Sequence, residues 1–460
     1  MSILIKNGRV ITASEDHIAD ILTEGEQIIA IGKDLPAGNA RVIDATGKLV
    51  FPGGIDPHVH LDMPFMGTYS SDNYETGTRA ALFGGTTMVI DFILQKQGNS
   101  LQSALNEWRG RSNGNCVGDY SFHMAVTDFN EETKKEIKGL IEKEGITSFK
   151  TFMAYKGALM IDDRQMIGLM EEVKKNGGLI NVHATNGDMI DYLIAKHKGE
   201  GKLSPLYHYL SQPEITEAEA SERFTDMSFY TGCPGYIVHL TCEGALNAVR
   251  NATRRNQKVF VETCIQYLIL DASLYENDFE GAKWVMSPPL REKKDQETLW
   301  AGINQGLVQV VATDHCPFKW EQKLMGKDDF SKIPNGHPAI ENRIELLFSE
   351  GVNKGRITLN KFVEVACTNP ARIFGMFPRK GTIGVGSDAD LVIFDPNEKH
   401  TLSAKTHHMN VDYSGYEGWE VTGKVKTVLL RGEVAIENNE CKLEKGYGQF
   451  IKRDKVKDII

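Results

Sequence analysis

Between about residue 53 and residue 375 the chain alternates short apolar runs with amphipathic helical stretches, and roughly eight such pairs fill that span. This alternation constrains the fold more than any other feature. A strand, a helix and another strand return the chain to the same end of a sheet, so the strands run parallel. About eight repeats is the number at which such a sheet closes into a (β/α)₈ barrel, whose functional residues gather at the carboxyl ends of the strands. The strand candidates are residues 55–60, 86–92, 120–126, 146–152, 179–183, 236–240, 258–262 and 307–313. A doubly wound open sheet is the alternative, and no Gly-x-Gly-x-x-Gly follows an early strand to support it. Helix signals lie between the strands: Asn130 as an N-cap with Gly145 as a stop, and Thr216-x-x-Glu219 as a capping box.

The chain ends read differently. Residues 1–52 and 376–445 carry short strand-like runs with turn signals, which predicts a small β-sandwich domain assembled from both ends around a barrel at 53–375. Residues 446–460, rich in Lys and Arg, read as a solvated tail. With 460 residues and 41% hydrophobic content there is enough for one large core and an accessory domain. The 52 Lys and Arg against 62 Asp and Glu leave a net charge of −10, which disfavours nucleic acid as a partner and suits a small neutral substrate. No apolar stretch approaches the roughly 20 residues of a membrane span, and no signal-peptide order is present at the start. Seven scattered cysteines without a Cys-x-x-Cys pair fit a reducing compartment, so a cytoplasmic protein is expected.

Six residues stand at the ends of the strand candidates: His58, His60, Lys150, His183, His239 and Asp314. His58 and His60, two apart, share one face of a strand and can grip one ion together. Taken singly, each histidine reads as a hydrogen-bonded core residue and Asp314 as a turn or cap residue. Jointly, imidazoles and a carboxylate aimed at one barrel mouth point to a shared cation, because buried polar groups without partners are destabilising. A free Lys150 ammonium is the wrong group beside cations, whereas its carbamate would offer two anionic oxygens able to bridge two metals.

In this order the residues resemble the amidohydrolase superfamily, and within it the D-hydantoinase/dihydropyrimidinase family. The resemblance is carried by Gly53-Gly54-Ile55-Asp56-Pro57-His58-Val59-His60, by Ser148-Phe149-Lys150-Thr151-Phe152-Met153-Ala154-Tyr155 and by Met286-Ser287-Pro288-Pro289-Leu290-Arg291. Ala312-Thr313-Asp314-His315-Cys316-Pro317, Ile333-Pro334-Asn335-Gly336 and Lys380-Gly381-Thr382-Ile383 extend it over nearly the whole chain. It implies two Zn²⁺ ions, with Mn²⁺ or Co²⁺ as substitutes. His58, His60 and Asp314 would hold one and His183 and His239 the other, with N6-carboxylated Lys150 and a hydroxide bridging them.

It further implies that Tyr155, Ser287 and Asn335 contact a cyclic amide. Met63, Phe65, Phe152 and Leu159 would enclose its exocyclic substituent, and Asp314 would shuttle the proton while Tyr155 steadies the oxyanion. The product would be an N-carbamoyl amino acid and the assembly a homotetramer, or a homodimer, whose tails reach neighbouring subunits. Dihydroorotate is disfavoured, since Leu61-Asp62 follows His60 where a carboxylate-binding Arg would be required. An allantoinase-like ureide hydrolase, a non-enzymatic scaffold relative and a mononuclear deaminase are the competing readings. The last of these would leave Lys150 without a role.

Overall fold

The computed structural model describes residues 2–456. Its centre is a parallel eight-stranded sheet in sequential order. The strands are β1 (Gly54–Val59), β2 (Thr86–Leu94), β3 (Asp119–Ala125), β4 (Ser148–Phe152), β5 (Leu179–His183), β6 (Gly235–Ile237), β7 (Val259–Cys264) and β8 (Val310–Ala312). Every residue of these strands is buried, as expected for a parallel sheet covered by helices. The barrel closes just beyond β8, where His315 bridges in parallel to Val59 and its carbonyl accepts from the His60 amide at 2.9 Å. The (β/α)₈ expectation therefore holds.

Local sequence explains the helix boundaries. Asn130 caps Glu131–Glu142 by accepting from the amides of Glu132 and Thr133, and Thr133 returns a bond to the Asn130 amide. Helix Asp163–Asn176 is capped by Asp162 and stops at Gly177, whose φ of 82° a side chain would strain. The Thr216-x-x-Glu219 signal is corrected. The helix spans Glu214–Thr231 and begins after Pro213, so Thr216 lies inside its first turn and bonds back to the Pro213 carbonyl at 2.8 Å.

Both chain ends build one nine-stranded mixed sheet with its own apolar core, which includes Ile3, Ile5, Val10, Ile21, Val50, Leu391, Ile393 and Leu429. The sheet forks at strand Ser2–Ile11. Its first half pairs with Arg41–Asp44 and its second half with Leu49–Pro52, and the register shifts between Ile5 and Gly8, where Asn7 has φ 61°. A bulge of this kind bends the strand and lets one ribbon serve two layers. The sequence pattern did not reveal strand Asp16–Glu24, which has exposed ends and an alternation broken by consecutive buried residues.

The C-terminal segment is not a solvated tail. Residues 449–456 run across the amino-terminal face of their own barrel. Gln449 and Ile451 bond to Tyr120, Arg453 to Gly145, Asp454 to Gly375 and Val456 to Gly177. Arg453 is buried and donates to Ser121 Oγ, Ser148 Oγ and the Phe122 carbonyl. The charge density of the segment suggests solvation, but these backbone and side-chain bonds satisfy it internally. Residues 457–460, the end of the expected tail, lie outside the described residues.

Candidate metal centre and active site

The carboxyl ends of the strands surround a cleft of about 540 Å³. His58, His60, Lys150, His183, His239 and Asp314 line it, together with Tyr155, Ser287, Asn335, Met63, Phe65, Phe152 and Leu159. Every residue singled out from the sequence thus reaches one cavity, from segments up to 277 residues apart in the chain (58 to 335).

Asp314 Oδ1 stands 3.0 Å from Nε2 of both His58 and His60. The ligand atoms of these three lie within 4.8 Å of one another, the one such grouping of His, Cys, Asp and Glu among the described residues. Opposite them, His183 Nδ1 and His239 Nε2 are 2.8 Å apart, and the His58 and His239 rings stack at 5.4 Å. Lys150 lies buried, its Nζ 4.5 Å from the Phe92 ring and 5.2 Å from the Phe152 ring, with no ion pair among the described residues. Burial pushes its pKa down to about 8, against the pull of Asp314 and Glu262.

Burial also brings His60 to about 4 and His183 to about 3. His58 differs: burial alone would lower it, but Glu262 and Asp314 outweigh that and hold it near 9. Asp314 shows the reciprocal effect. Its burial cost is exceeded by the two imidazoles, which keep its carboxyl well below the usual range.

These residues fit divalent cations. Among the described residues the buried Nδ1 atoms of His60 and His239 have no hydrogen-bond partner, and two imidazole nitrogens converge on one carboxylate oxygen. Histidine nitrogens and a carboxylate are the borderline donors that suit zinc and its neighbours. Three residues of the cleft also hold left-handed backbone conformations. His239, Asp314 and Tyr155 have φ of 40°, 52° and 63°, left-handed values that typically cost about 1–3 kcal/mol each for a non-glycine residue and persist where the surroundings enforce them.

Sequence reasoning missed several supports. Glu262 accepts from His58 Nδ1, from the Tyr236 hydroxyl at 2.8 Å and from the His239 amide at 3.1 Å, so one carboxylate steadies candidate ligands on both sides. Asp56 bonds to Thr313 Oγ1 at 2.5 Å and to the His58 amide at 3.1 Å. A lone acid inside the apolar run Val259-Phe260-Val261-Glu262 was the available signal. Asp62, by contrast, faces Arg111 at 3.5 Å and does not line the cleft.

On the other wall, Ser287 Oγ accepts from Asn335 Nδ2 at 3.0 Å and from Gln212 Nε2 at 3.1 Å. The Tyr155 ring stands 5.2 Å from His183 and 6.0 Å from both Phe65 and Phe152. Burial pushes its hydroxyl above the ordinary pKa, so it is a proton donor at neutral pH. A second chamber of about 1170 Å³ opens past Tyr155 and is walled by Ala154, Ala158, Ile190, Ile194 and Phe330.

The profile of the amidohydrolase family matches residues 49–435. The chain belongs to the amidohydrolase family. Within this family it falls in the D-hydantoinase/dihydropyrimidinase group, and it is a hydrolase. A D-hydantoinase of Geobacillus stearothermophilus is 48% identical over 99% of this chain and 97% of its own length. A dihydropyrimidinase of Rattus norvegicus is 40% identical over 100% of this chain and 90% of its own. Among solved structures, the dihydropyrimidinase from Brevibacillus agri NCHU1002 superimposes with a TM-score of 0.98 at 49% identity, covering 99% of both chains. In this amidohydrolase the His-x-His motif, the buried lysine, the two further histidines and the aspartate all reach one cleft.

Proposed function

We propose that this chain opens the ring of 5-substituted hydantoins or dihydropyrimidines by hydrolysis, giving N-carbamoyl amino acids. The observation that carries the reading is the convergence of six residues from five strands, with a lysine buried among them, in a chain whose relatives are named for this chemistry. His58, His60 and Asp314 would hold one divalent cation and His183 and His239 a second. Lys150, carboxylated on Nζ, would bridge the two, with zinc as the first choice of metal.

Bound there, the ions supply Lewis-acid polarisation and a water of lowered pKa. The remaining steps belong to the protein. Ser287 and Asn335 hold the ring amide, and Tyr155 donates a hydrogen bond to the carbonyl oxygen as negative charge develops on it. Asp314 accepts the proton of the attacking water and passes it to the ring nitrogen as the C–N bond breaks, so one water is consumed and no other reactant is needed. Phe65, Met63, Phe152 and Leu159 exclude solvent from the exocyclic substituent, and the larger chamber behind them accommodates a bulky one.

Exposed Tyr192, Leu210, Ile215, Phe229 and Tyr230 support a homo-oligomer, for which we adopt the tetramer. The cysteines, all unpaired, suit the cytoplasm. The test is a substrate panel of dihydrouracil, hydantoins with alkyl and aryl 5-substituents, and allantoin. Turnover of the aryl hydantoins is expected, and turnover of allantoin alone would overturn the reading.

A further inference from the structure

The short helix Trp320–Lys323 contributes nothing to the proposed chemistry, yet its last two residues reach the walls of the cleft from two directions. Lys323 is fully buried, and its Nζ donates to three backbone carbonyls: Val285 at 3.0 Å, Pro334 at 2.8 Å and Gly336 at 2.9 Å. These carbonyls flank the residues that would hold the substrate ring. Val285 lies two residues before Ser287, and Pro334 and Gly336 bracket Asn335. The Gly336 amide also donates directly to the Val285 carbonyl at 2.9 Å, so the two segments are joined at the point the ammonium gathers.

No carboxylate lies within ion-pair distance of Lys323 among the described residues, and burial pushes its pKa down to about 7 against the pull of Cys316. A buried cation is strongly destabilising unless its hydrogen bonds are complete. Three carbonyls from two loops match the three donors of an ammonium, so the cation and the loop spacing depend on each other.

We propose that Lys323 is a positioning residue, a three-way clamp that sets the spacing of segments 285–287 and 334–336 and thereby the groups that grip the cyclic amide. This rests on the ring-opening reading of the site. The clamp acts on the ring alone. The substituent wall is tied separately by the adjacent Gln322, whose Nε2 donates to Thr68 Oγ1 at 2.7 Å and to the Tyr69 carbonyl at 2.8 Å, in the hairpin that carries Phe65.

The experiment compares the full-length wild type with Lys323→Met, Lys323→Gln and Lys323→Arg, measuring bound metal, melting temperature and kinetics on hydantoin and a 5-aryl hydantoin. For Lys323→Met the KM rises on the order of 10-fold or more, because a small misplacement of binding groups is costly. The kcat changes by less than about threefold, as for lost uniform binding. The factor is the same for both substrates, since the ring is common to them, and metal content stays at the wild-type level. Lys323→Arg, which keeps the charge and several donors, recovers most of the affinity. Should Lys323→Met not accumulate as folded protein, Lys323→Gln is read by the same criterion. An unchanged KM in either folded variant, or an effect confined to the aryl substrate, overturns the clamp. A wild type that opens neither ring would overturn the ring-opening reading, and the clamp with it, before any variant is made.

Discussion

His183 Nδ1 and His239 Nε2 lie 2.8 Å apart, in rings inclined at 76°. Burial, reinforced by Lys150 and by the other imidazoles, lowers the pKa of both rings, so both are neutral and in the form that binds metal. On the proposed reading this pair would hold a cation distinct from the one at His58, His60 and Asp314. His239→Asn is therefore expected to bind one equivalent of metal fewer per chain than the wild type while keeping its fold. Elemental analysis with circular dichroism checks this, and an unchanged metal content would count against the division into two halves.

Glu262 joins the two halves from below, bonded to His58 Nδ1 and to the His239 amide. In Glu262→Gln the amide cannot supply the same charge to the imidazole. Support of this kind is typically worth about 10–100-fold in metal affinity, and a loss of that size is expected in competition with a chromophoric chelator.

On the proposed reading Tyr155 donates to the developing oxyanion, and burial raises the pKa of its hydroxyl, which keeps the proton in place. Tyr155→Phe removes the donor and little else. Its kcat is expected to fall by roughly 10²–10³-fold with KM within a few-fold of wild type. Steady-state kinetics on one hydantoin decides it.

Away from the cleft, Asp295 accepts from the Glu243 amide at 3.1 Å, while its Oδ2 is buried without a partner among the described residues. Burial raises its pKa to about 6, against about 3.9 for an unfolded Asp. The native state thus binds more protons than the unfolded chain between roughly pH 4 and pH 6, and stability contributed by this group falls as pH rises through that window. Asp295→Asn keeps the acceptor and removes the charge, so it is expected to stabilise by about 1 kcal/mol at pH 7 and by little at pH 3.5. Melting temperatures at the two pH values test the sign.

The barrel and the gathering of the candidate residues in one cleft were readable because His58, His183 and Asp314 each stand at or just beyond the end of a strand, so strand geometry aims them at one mouth. Glu262 was not, since it sits within a strand and its partners come from β1 and β6. Arg453 misled as part of a segment read as solvated, and Lys323 gave no signal, for one reason. Long cationic side chains are read as solvated, and only tertiary structure shows the carbonyls and hydroxyls that satisfy them. Thr216 failed as a cap because Pro213 starts the helix earlier.

Lys150 is a buried amine among the residues that would hold the metal, with no ion pair among the described residues. The most direct measurement is bound metal per chain, taken together with hydantoin ring opening, in wild type, in chelator-stripped and remetallated protein, and in Lys150→Ala. Two equivalents are expected in the wild type, with activity lost on stripping and regained on adding zinc. In Lys150→Ala metal is expected to fall to one equivalent or less and turnover by on the order of 10³-fold or more. A Lys150→Ala protein that still carries two ions and opens the ring at the wild-type rate, or stripped protein that works undiminished, would contradict the account.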